Sequence, residues 1–279
     1  AGKIIHDLTK KINGKHFLIN EKIDGNFPSH HPDPTIPKNL KQLIKLVKKK
    51  KCDVGFAFDG DGDRLGVVDD KGNIIWADKV VAFLARDVLK KKPKAKIILD
   101  IKTSQAVIDE IKKLNGIPIL WKTGHSLIKK KMKEIKSIFA GEMSGHIFFG
   151  DSYYGFDDAI YAAIRFLNLY SDLAEPLSEI FAKMPESYAT PELRFPTSET
   201  EKFEIIKKIK NKLKKEKKKF IGIDGVRYVT KDGWWLARAS NTENIIVARC
   251  ESFSQNKLSK IKKSLRENLQ KCNFKVSKF

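Results

Sequence analysis

Two rhythms of apolar residues alternate along the chain. Short unbroken apolar runs read as strands, and stretches with apolar positions every three to four residues read as amphipathic helices. Val54 to Phe58 is a strand candidate running into an Asp/Gly loop, and Leu65 to Asp69 turns through Asp70-Lys71-Gly72-Asn73 into Ile74 to Trp76 as a hairpin. Ala77 to Lys91 reads as a helix, Lys96 to Asp100 as a strand, Ser104 to Leu114 as a helix and Ile117 to Trp121 as a strand. This βαβ order favours a parallel sheet covered by helices. A helix from Ser126 to Ile135, a strand near Ile138 to Gly141 and helices at Asp157 to Tyr170 and Pro176 to Lys183 continue it. Met184-Pro185 to Pro191 then reads as a linker. Beyond it lie a strand near Leu193, a lysine-rich helix from Lys202, strands around Phe220 to Ile223 and Ile245 to Cys250, and a helix from Gln255 to Leu269. The expected class is α/β, with a smaller α+β domain at the C-terminal end. At the front, Ala1 opens almost directly into a helix whose Ile4, Ile5, Leu8 and Ile12 need a partner, with no strand ahead of them, as if a βαβ unit were cut.

With 279 residues the chain holds two or three domains, and 41% hydrophobic residues give each a core. No apolar run is long enough to span a bilayer, and Ala1 to Lys15 is periodic rather than continuously apolar, so a soluble cytoplasmic protein is expected. Cys52, Cys250 and Cys272 have neither close pairing nor metal-ligand spacing, which fits a reducing compartment without disulfides. The net charge of +21 raises nucleic acid or an anionic membrane as partners. Its pattern argues against both. Around Ile206, Ile209 and Leu213 the other helical positions are filled by Lys207, Lys208, Lys210, Lys212, Lys214 and Lys215, a solvated face, and no tract interleaves aromatics with basic residues.

The strongest local signal is Phe58-Asp59-Gly60-Asp61-Gly62-Asp63-Arg64, three carboxylates at alternate positions after a buried strand. Like charges this close repel, so the loop makes sense chiefly around a hard cation, and oxygen-only ligands point to Mg²⁺ or Ca²⁺. Gly60 and Gly62 let the backbone curl so that Asp59, Asp61 and Asp63 converge. An EF-hand does not fit, because Arg64 stands where that loop needs Gly, Asp70 where it needs Glu, and the flanks are strands.

Phe58 to Arg64 resembles the metal loop of the α-D-phosphohexomutases, and four other segments resemble that family in the same order. They are Asp24-Gly25-Asn26-Phe27-Pro28-Ser29-His30-His31-Pro32-Asp33-Pro34, Trp121-Lys122-Thr123-Gly124-His125-Ser126, Gly141-Glu142-Met143-Ser144-Gly145-His146 and Arg238-Ala239-Ser240-Asn241-Thr242-Glu243. The bacterial phosphomannomutase/phosphoglucomutase subgroup is the nearest likeness, with phosphoglucosamine mutase as the rival. The resemblance implies βαβ-type mixed sheets in two related domains plus the C-terminal α+β domain. It divides the chain into residues 1–72, part of domain II ending with the metal loop, 73–185, domain III, and 190–279, the phosphate-binding domain.

The implied activity is interconversion of hexose 1-phosphate and hexose 6-phosphate, of mannose or glucose, through a phosphoserine and a 1,6-bisphosphate. The implied cofactor is Mg²⁺ on Asp59, Asp61 and Asp63, with Arg64 facing the reacting phosphoryl group. Glu142 and Ser144 are implied to grip sugar hydroxyls, and Arg238, Ser240, Asn241 and Thr242 to bind phosphate, a guanidinium fork with hydroxyls and turn N–H groups suited to a tetrahedral dianion. Asn244 departs from the proline usual in relatives without removing a contact group. Lys102 and His125 are implied to line the cleft as candidates for acid/base work and phosphate contact. The family's serine lies in a Thr-Ala-Ser-His-Asn-Pro loop that these residues do not contain, and Ser29 sits instead in a proline-rich shaping segment. The chain is therefore expected to be inactive alone, with a separately encoded N-terminal half as a candidate partner. A non-catalytic sugar-phosphate binder is the alternative.

Overall fold

The computed structural model describes residues 1–276 and 279. They divide into two compact units, Ala1–Leu120 with Gly124–Met184, and Trp121–Thr123 with Pro185–Phe279. Among the described residues no helix is long and apolar enough to cross a membrane.

The first unit begins with helix α1 (Gly2–Thr9), a short 3-10 helix (Pro37–Leu40) and α2 (Lys41–Lys50). Strands β1 (Val54–Phe58), β2 (Leu65–Asp69) and β3 (Ile74–Ile75) form an antiparallel sheet in that order, with Phe58 opposite Leu65 and Val68 opposite Ile74. The aspartate loop is thus the connection of the β1–β2 hairpin. Helix α3 (Ala77–Lys91), β4 (Lys96–Asp100), α4 (Gln105–Lys113), β5 (Ile117–Trp121), α5 (His125–Ile135), β6 (Phe139–Gly141), β7 (Ile147–Phe149), α6 (Ala159–Ser171) and α7 (Leu177–Ala182) follow. The second sheet has the order β5-β4-β6-β7; β4 and β6 are parallel, as the βαβ rhythm requires, and β7 returns antiparallel to β6. Strand β7 is not among the expected elements, because three apolar residues carry too little alternation to stand out.

Helix α3 is the hub of this unit. Val80, Val81, Phe83, Leu84 and Val88 are all buried, and the helix packs against β2, β6, α4 and α6. An all-round apolar helix belongs in a core rather than on a surface, and each such side chain contributes about 1.5–3 kcal/mol by leaving water. Asp78 in its first turn is buried and accepts the Ser104 N–H at 3.1 Å, which suits a carboxylate at a helix N-terminus and ties α3 to the start of α4.

The second unit contains β8 (Tyr188–Ala189), β9 (Leu193–Pro196), α8 (Glu199–Lys215), β10 (Val226–Thr230), β11 (Gly233–Ala239), β12 (Ile245–Ser252) and α9 (Gln255–Gln270). Its sheet runs β10-β11-β12-β8, with β9 also on β12, and the pairs are antiparallel. Ile205, Ile209 and Leu213 of α8 join Ile261 and Leu265 of α9 over Trp235, Ala237, Ile246 and Ala248.

Three expectations are corrected here. Phe220 to Ile223 is not a strand; only Ile221 makes an isolated bridge, to Arg227. The single strand expected there is replaced by the β10–β11 hairpin downstream, of which β11 was not expected: its residues are all buried, so the polar-out alternation that marks a half-exposed strand is absent. The linker between the units contains β8.

Candidate functional site

Within the first unit the hairpin loop is wound around Asp59. One oxygen of this buried carboxylate accepts the N–H groups of Gly62, Asp63 and Arg64 at 3.0, 3.0 and 3.1 Å, and the other accepts Arg64 Nε at 2.6 Å. These bonds outweigh burial and hold Asp59 below the ordinary carboxyl range. Oxygens of Asp59, Asp61 and Asp63 lie within 4.8 Å of one another. Asp63 is the strained member: burial, with Asp59 and Asp61 beside it, pushes it up to about 6 against the pull of His146. Three crowded all-oxygen donors, one of them raised for want of compensating charge, fit a hard divalent cation such as Mg²⁺.

The proline-rich segment expected to shape this region does so directly. Asp33 lies 3.3 Å from Arg64 Nη1, so that Arg64 is clamped between Asp33 and Asp59. Thr35 and Arg64 together keep Asp33 ionised, below the ordinary carboxyl range despite burial.

The Gly141–His146 loop leaves β6 and comes against the aspartate hairpin. Leu65 N–H donates to the Gly145 carbonyl at 3.0 Å, and Arg64 and His146 form an isolated antiparallel bridge. Gly145 has φ +100, and a Cβ there would meet the Leu65 carbonyl oxygen at 2.9 Å, so glycine is required for both the turn and the approach. From below, fully buried Asp100 at the end of β4 accepts the Met143 N–H at 3.1 Å. Burial raises Asp100.

Glu142 is 2% exposed and accepts the Gly124 N–H at 2.6 Å, while its other oxygen lies 3.1 Å from His146 Nδ1. The Ser144 hydroxyl lies 2.7 Å from the same nitrogen. His146 Nε2 is 3.4 Å from Asp63. Burial disfavours a charge on this imidazole, yet Glu142, Asp63 and Asp157 overcome it and raise the His146 pKa. His125 stacks on His146 with ring centroids 5.5 Å apart, and its Nδ1 lies 2.9 Å from Asp157. Lys129 donates to the other Asp157 oxygen at 2.6 Å.

Asp59, Asp63, Arg64, His125, Glu142 and Ser144 are brought together through these contacts, and Asp61 joins them by the approach of its carboxylate to Asp59 and Asp63. Lys102 follows β4 beside Asp100, its N–H donating to that carboxylate at 3.0 Å. Sequence reasoning assigned no role to His146, Asp157, Lys129 or Asp33. His146 stood in the quoted loop, and its placement two residues beyond Ser144 was the available signal; Asp157 and Lys129 are recruited by tertiary approach and had none.

The second unit carries the Arg238–Thr242 group. Arg238 is buried on β11 and its Nε donates to Asp224 at 2.9 Å, while Nη2 is buried with no hydrogen-bond partner. Ser240, also buried, accepts the Thr242 and Glu243 N–H groups at 3.3 and 3.2 Å and so shapes the turn, on which Asn241 and Thr242 are exposed. The Arg194 guanidinium and the Glu243 carboxylate pair across the loop. A fork held by one carboxylate, with a spare donor beside an exposed turn, is equipped for an anion.

Sequence models of the phosphoglucomutase/phosphomannomutase family match three successive stretches: alpha/beta/alpha domain II over residues 1–72, alpha/beta/alpha domain III over 76–188 and the C-terminal domain over 192–268. The chain belongs to the α-D-phosphohexomutase family. It is 43% identical over 270 residues to a phosphomannomutase/phosphoglucomutase of Pseudomonas aeruginosa, covering 97% of this chain and 58% of that protein. Identity to a phosphoglucomutase of Neisseria gonorrhoeae is also 43%, over 94% of this chain and 56% of the relative. A crystal structure of a phosphoglucomutase/phosphomannomutase family protein from Burkholderia thailandensis superposes with a TM-score of 0.92 at 38% identity, covering 100% of this chain and 60% of that one. The phosphohexomutase relatives are thus considerably longer than the stretch in hand.

Proposed function

We propose that these residues are the metal-, sugar- and phosphate-binding part of a phosphohexomutase that interconverts hexose 1-phosphate and hexose 6-phosphate. The observation that carries this reading is the meeting of two loops in the first unit: Leu65 N–H reaches the Gly145 carbonyl at 3.0 Å, and His146 lies 3.4 Å from Asp63. A cation-binding loop and a hydroxyl-binding loop joined in this way suit chemistry on a phosphorylated sugar. The division into residues 1–72, 73–185 and 190–279 is part of the proposal and is supported by the ranges of the three family matches.

In this reading Asp59, Asp61 and Asp63 hold Mg²⁺, which when bound neutralises charge on a transferring phosphoryl group. Arg64, locked by Asp33 and Asp59, presents its remaining donors towards that phosphoryl group. Glu142 and Ser144 bind vicinal hydroxyls by exchanging their present bonds to Gly124 and His146 for bonds to the sugar. Arg238 and the Ser240–Thr242 turn bind the phosphate ester, using the spare Nη2 donor and exposed turn groups. His125, backed by Asp157, and Lys102 are the candidates for holding and moving the hydroxyl proton. The phosphoryl carrier is a phosphoserine in a loop these residues do not contain, so the chain by itself turns nothing over.

Titration calorimetry with glucose 6-phosphate and Mg²⁺ tests the binding roles. Saturable binding is expected, abolished by Arg238→Ala and weakened by Glu142→Gln. No response to sugar phosphate, alongside salt-sensitive binding of DNA, would instead make the chain a basic nucleic-acid binder.

A further inference from the structure

The aspartate loop offers only oxygen, but one of its carboxylates also faces a second set of donors of a different kind. Asp63 Oδ2 lies 3.4 Å from His146 Nε2, the same nitrogen lies 4.0 Å from Asp157 Oδ2, and one donor atom from each of the three residues falls within 4.8 Å of the others. Two ligands bound about 2.0–2.2 Å from a tetrahedral ion are about 3.3–3.5 Å apart, so the first contact already has the spacing of a shared metal and the second has to close by about half an ångström. As hydrogen bonds both are long.

The imidazole is oriented from behind. Its Nδ1 lies 3.1 Å from Glu142 Oε2, which as a carboxylate oxygen only accepts, so Nδ1 carries the proton and Nε2 turns its lone pair towards Asp63 and Asp157. A carboxylate behind a histidine is the usual support for an imidazole ligand. Asp157 is fixed as well, with Lys129 donating to Oδ1 at 2.6 Å and His125 Nδ1 lying 2.9 Å from Oδ2. Lys129 offsets Asp157, while Arg64 is divided among Asp33, Asp59 and Asp63, so the carboxylates around His146 outnumber these cationic partners.

The three donors stand on separate segments that backbone contacts hold in register. Arg64 bridges His146, Phe148 bridges Asp157, and the Ala159 N–H donates to the Gly62 carbonyl at 3.1 Å. Such a set is built before an ion arrives. Its imidazole nitrogen favours Zn²⁺ over Mg²⁺, which suits the all-oxygen loop next to it.

We infer that His146, Asp63 and Asp157 form a second cation site, selective for Zn²⁺, that shares Asp63 with the magnesium loop and antagonises it. Two dications on one carboxylate repel each other, and the antagonism is reciprocal. The site does not depend on the mutase reading.

The intact chain is titrated with CoCl₂, whose visible absorption intensifies when the ion becomes four-coordinate, then with ZnCl₂, while Mg²⁺ binding is followed by calorimetry. An intensified band that Zn²⁺ removes is expected, and Zn²⁺ is expected to lower the Mg²⁺ affinity about tenfold. His146→Gln and Asp157→Asn are each expected to abolish the band and weaken Zn²⁺ binding about a hundredfold, with Mg²⁺ affinity held within about threefold, which also reports that the variants fold. Asp61→Asn is expected to do the reverse, weakening Mg²⁺ binding and keeping the band. No intensified band in the wild type, a band that survives His146→Gln, a band lost in Asp61→Asn, loss of both ions in both His146→Gln and Asp157→Asn, or a Mg²⁺ affinity indifferent to Zn²⁺ would each overturn the inference. Glucose 6-phosphate is titrated into the same samples. Sugar-phosphate binding without the cobalt band would remove this site and keep the mutase reading, and the converse would remove the reading and keep the site.

Discussion

Lowering the pH from 7 to 5 is expected to weaken magnesium binding at the aspartate loop by about tenfold, and the reason is a single carboxyl group. Asp63 is pushed up to about 6 by burial and by the neighbouring Asp59 and Asp61. Such a group is about nine-tenths ionised at pH 7 and about one-tenth ionised at pH 5. Metal binding requires the ionised form, so the apparent affinity follows that fraction. A carboxyl at the ordinary value of 3.8 would stay more than about nine-tenths ionised throughout, and affinity would hardly change. Titration calorimetry with MgCl₂ at constant ionic strength gives the two constants. Asp63→Asn is the control: it lowers affinity at both pH values and flattens the difference between them. Equal affinity at pH 7 and 5 in the wild type, or an undiminished pH response in Asp63→Asn, would refute the assignment of Asp63 as the strained ligand.

The same shift makes a stability prediction. A carboxyl raised in the folded state costs stability as pH climbs from 3.8 towards about 6, so Asp63→Asn is expected to stabilise the metal-free chain at pH 7 by about 1–2 kcal/mol after allowance for its partial exposure, read as a higher melting temperature, and to abolish the rise in melting temperature that Mg²⁺ gives the wild type. Arg165 is held by Asp151 at 3.0 Å and by Asp87 at 2.5 Å and lies 4.3 Å over the Phe149 ring, so Arg165→Met, which strands the buried Asp151 carboxylate and leaves Asp87 only Lys91 at 2.8 Å, is expected to cost about 3 kcal/mol by denaturant melts at pH 7. Asp87 and Asp151 are both lowered, against burial, so the stability they contribute is present above the ordinary 3.8 and lost as pH falls below it; the variant's acid-induced loss between pH 4 and 2 is expected to be smaller than the wild type's. Gly225 has φ +75, and a Cβ there would meet the Ala237 carbonyl at 2.3 Å beside Arg238, so Gly225→Ala is expected to destabilise the second unit by about 2 kcal/mol or more, read by denaturant melts, and to weaken phosphate binding, read by calorimetry, with chemical shift changes concentrated in that unit.

Strands β1, β4 and β5 and helix α3 were legible to the residue, because each is an apolar segment cut off sharply by charge, glycine or proline. Strand β11 was not. Trp234 and Trp235 point to opposite faces yet are both buried, and the Arg227 guanidinium that sits 3.8 Å from the Trp234 ring looks, in sequence, like a surface residue. The same limit applied to the site. Three aspartates spaced by glycines announce a cation because the repulsion is local, and the alternation is visible in one line of sequence. The His146 contacts with Glu142, Ser144 and Asp63 exist only because Gly145 lets one loop close on another, so their chemistry is a property of packing.

Conversion of glucose 1-phosphate to glucose 6-phosphate, followed by phosphorus NMR in the presence of Mg²⁺, addresses the central claim directly. The chain alone is expected to give no product. Addition of the part of the Pseudomonas aeruginosa relative that this chain does not cover is expected to restore turnover, and Asp61→Asn in this chain to abolish it again. Product from the chain alone, or none from a mixture in which the two polypeptides demonstrably associate, would contradict the assignment of these residues as the metal-, sugar- and phosphate-binding part of a phosphohexomutase.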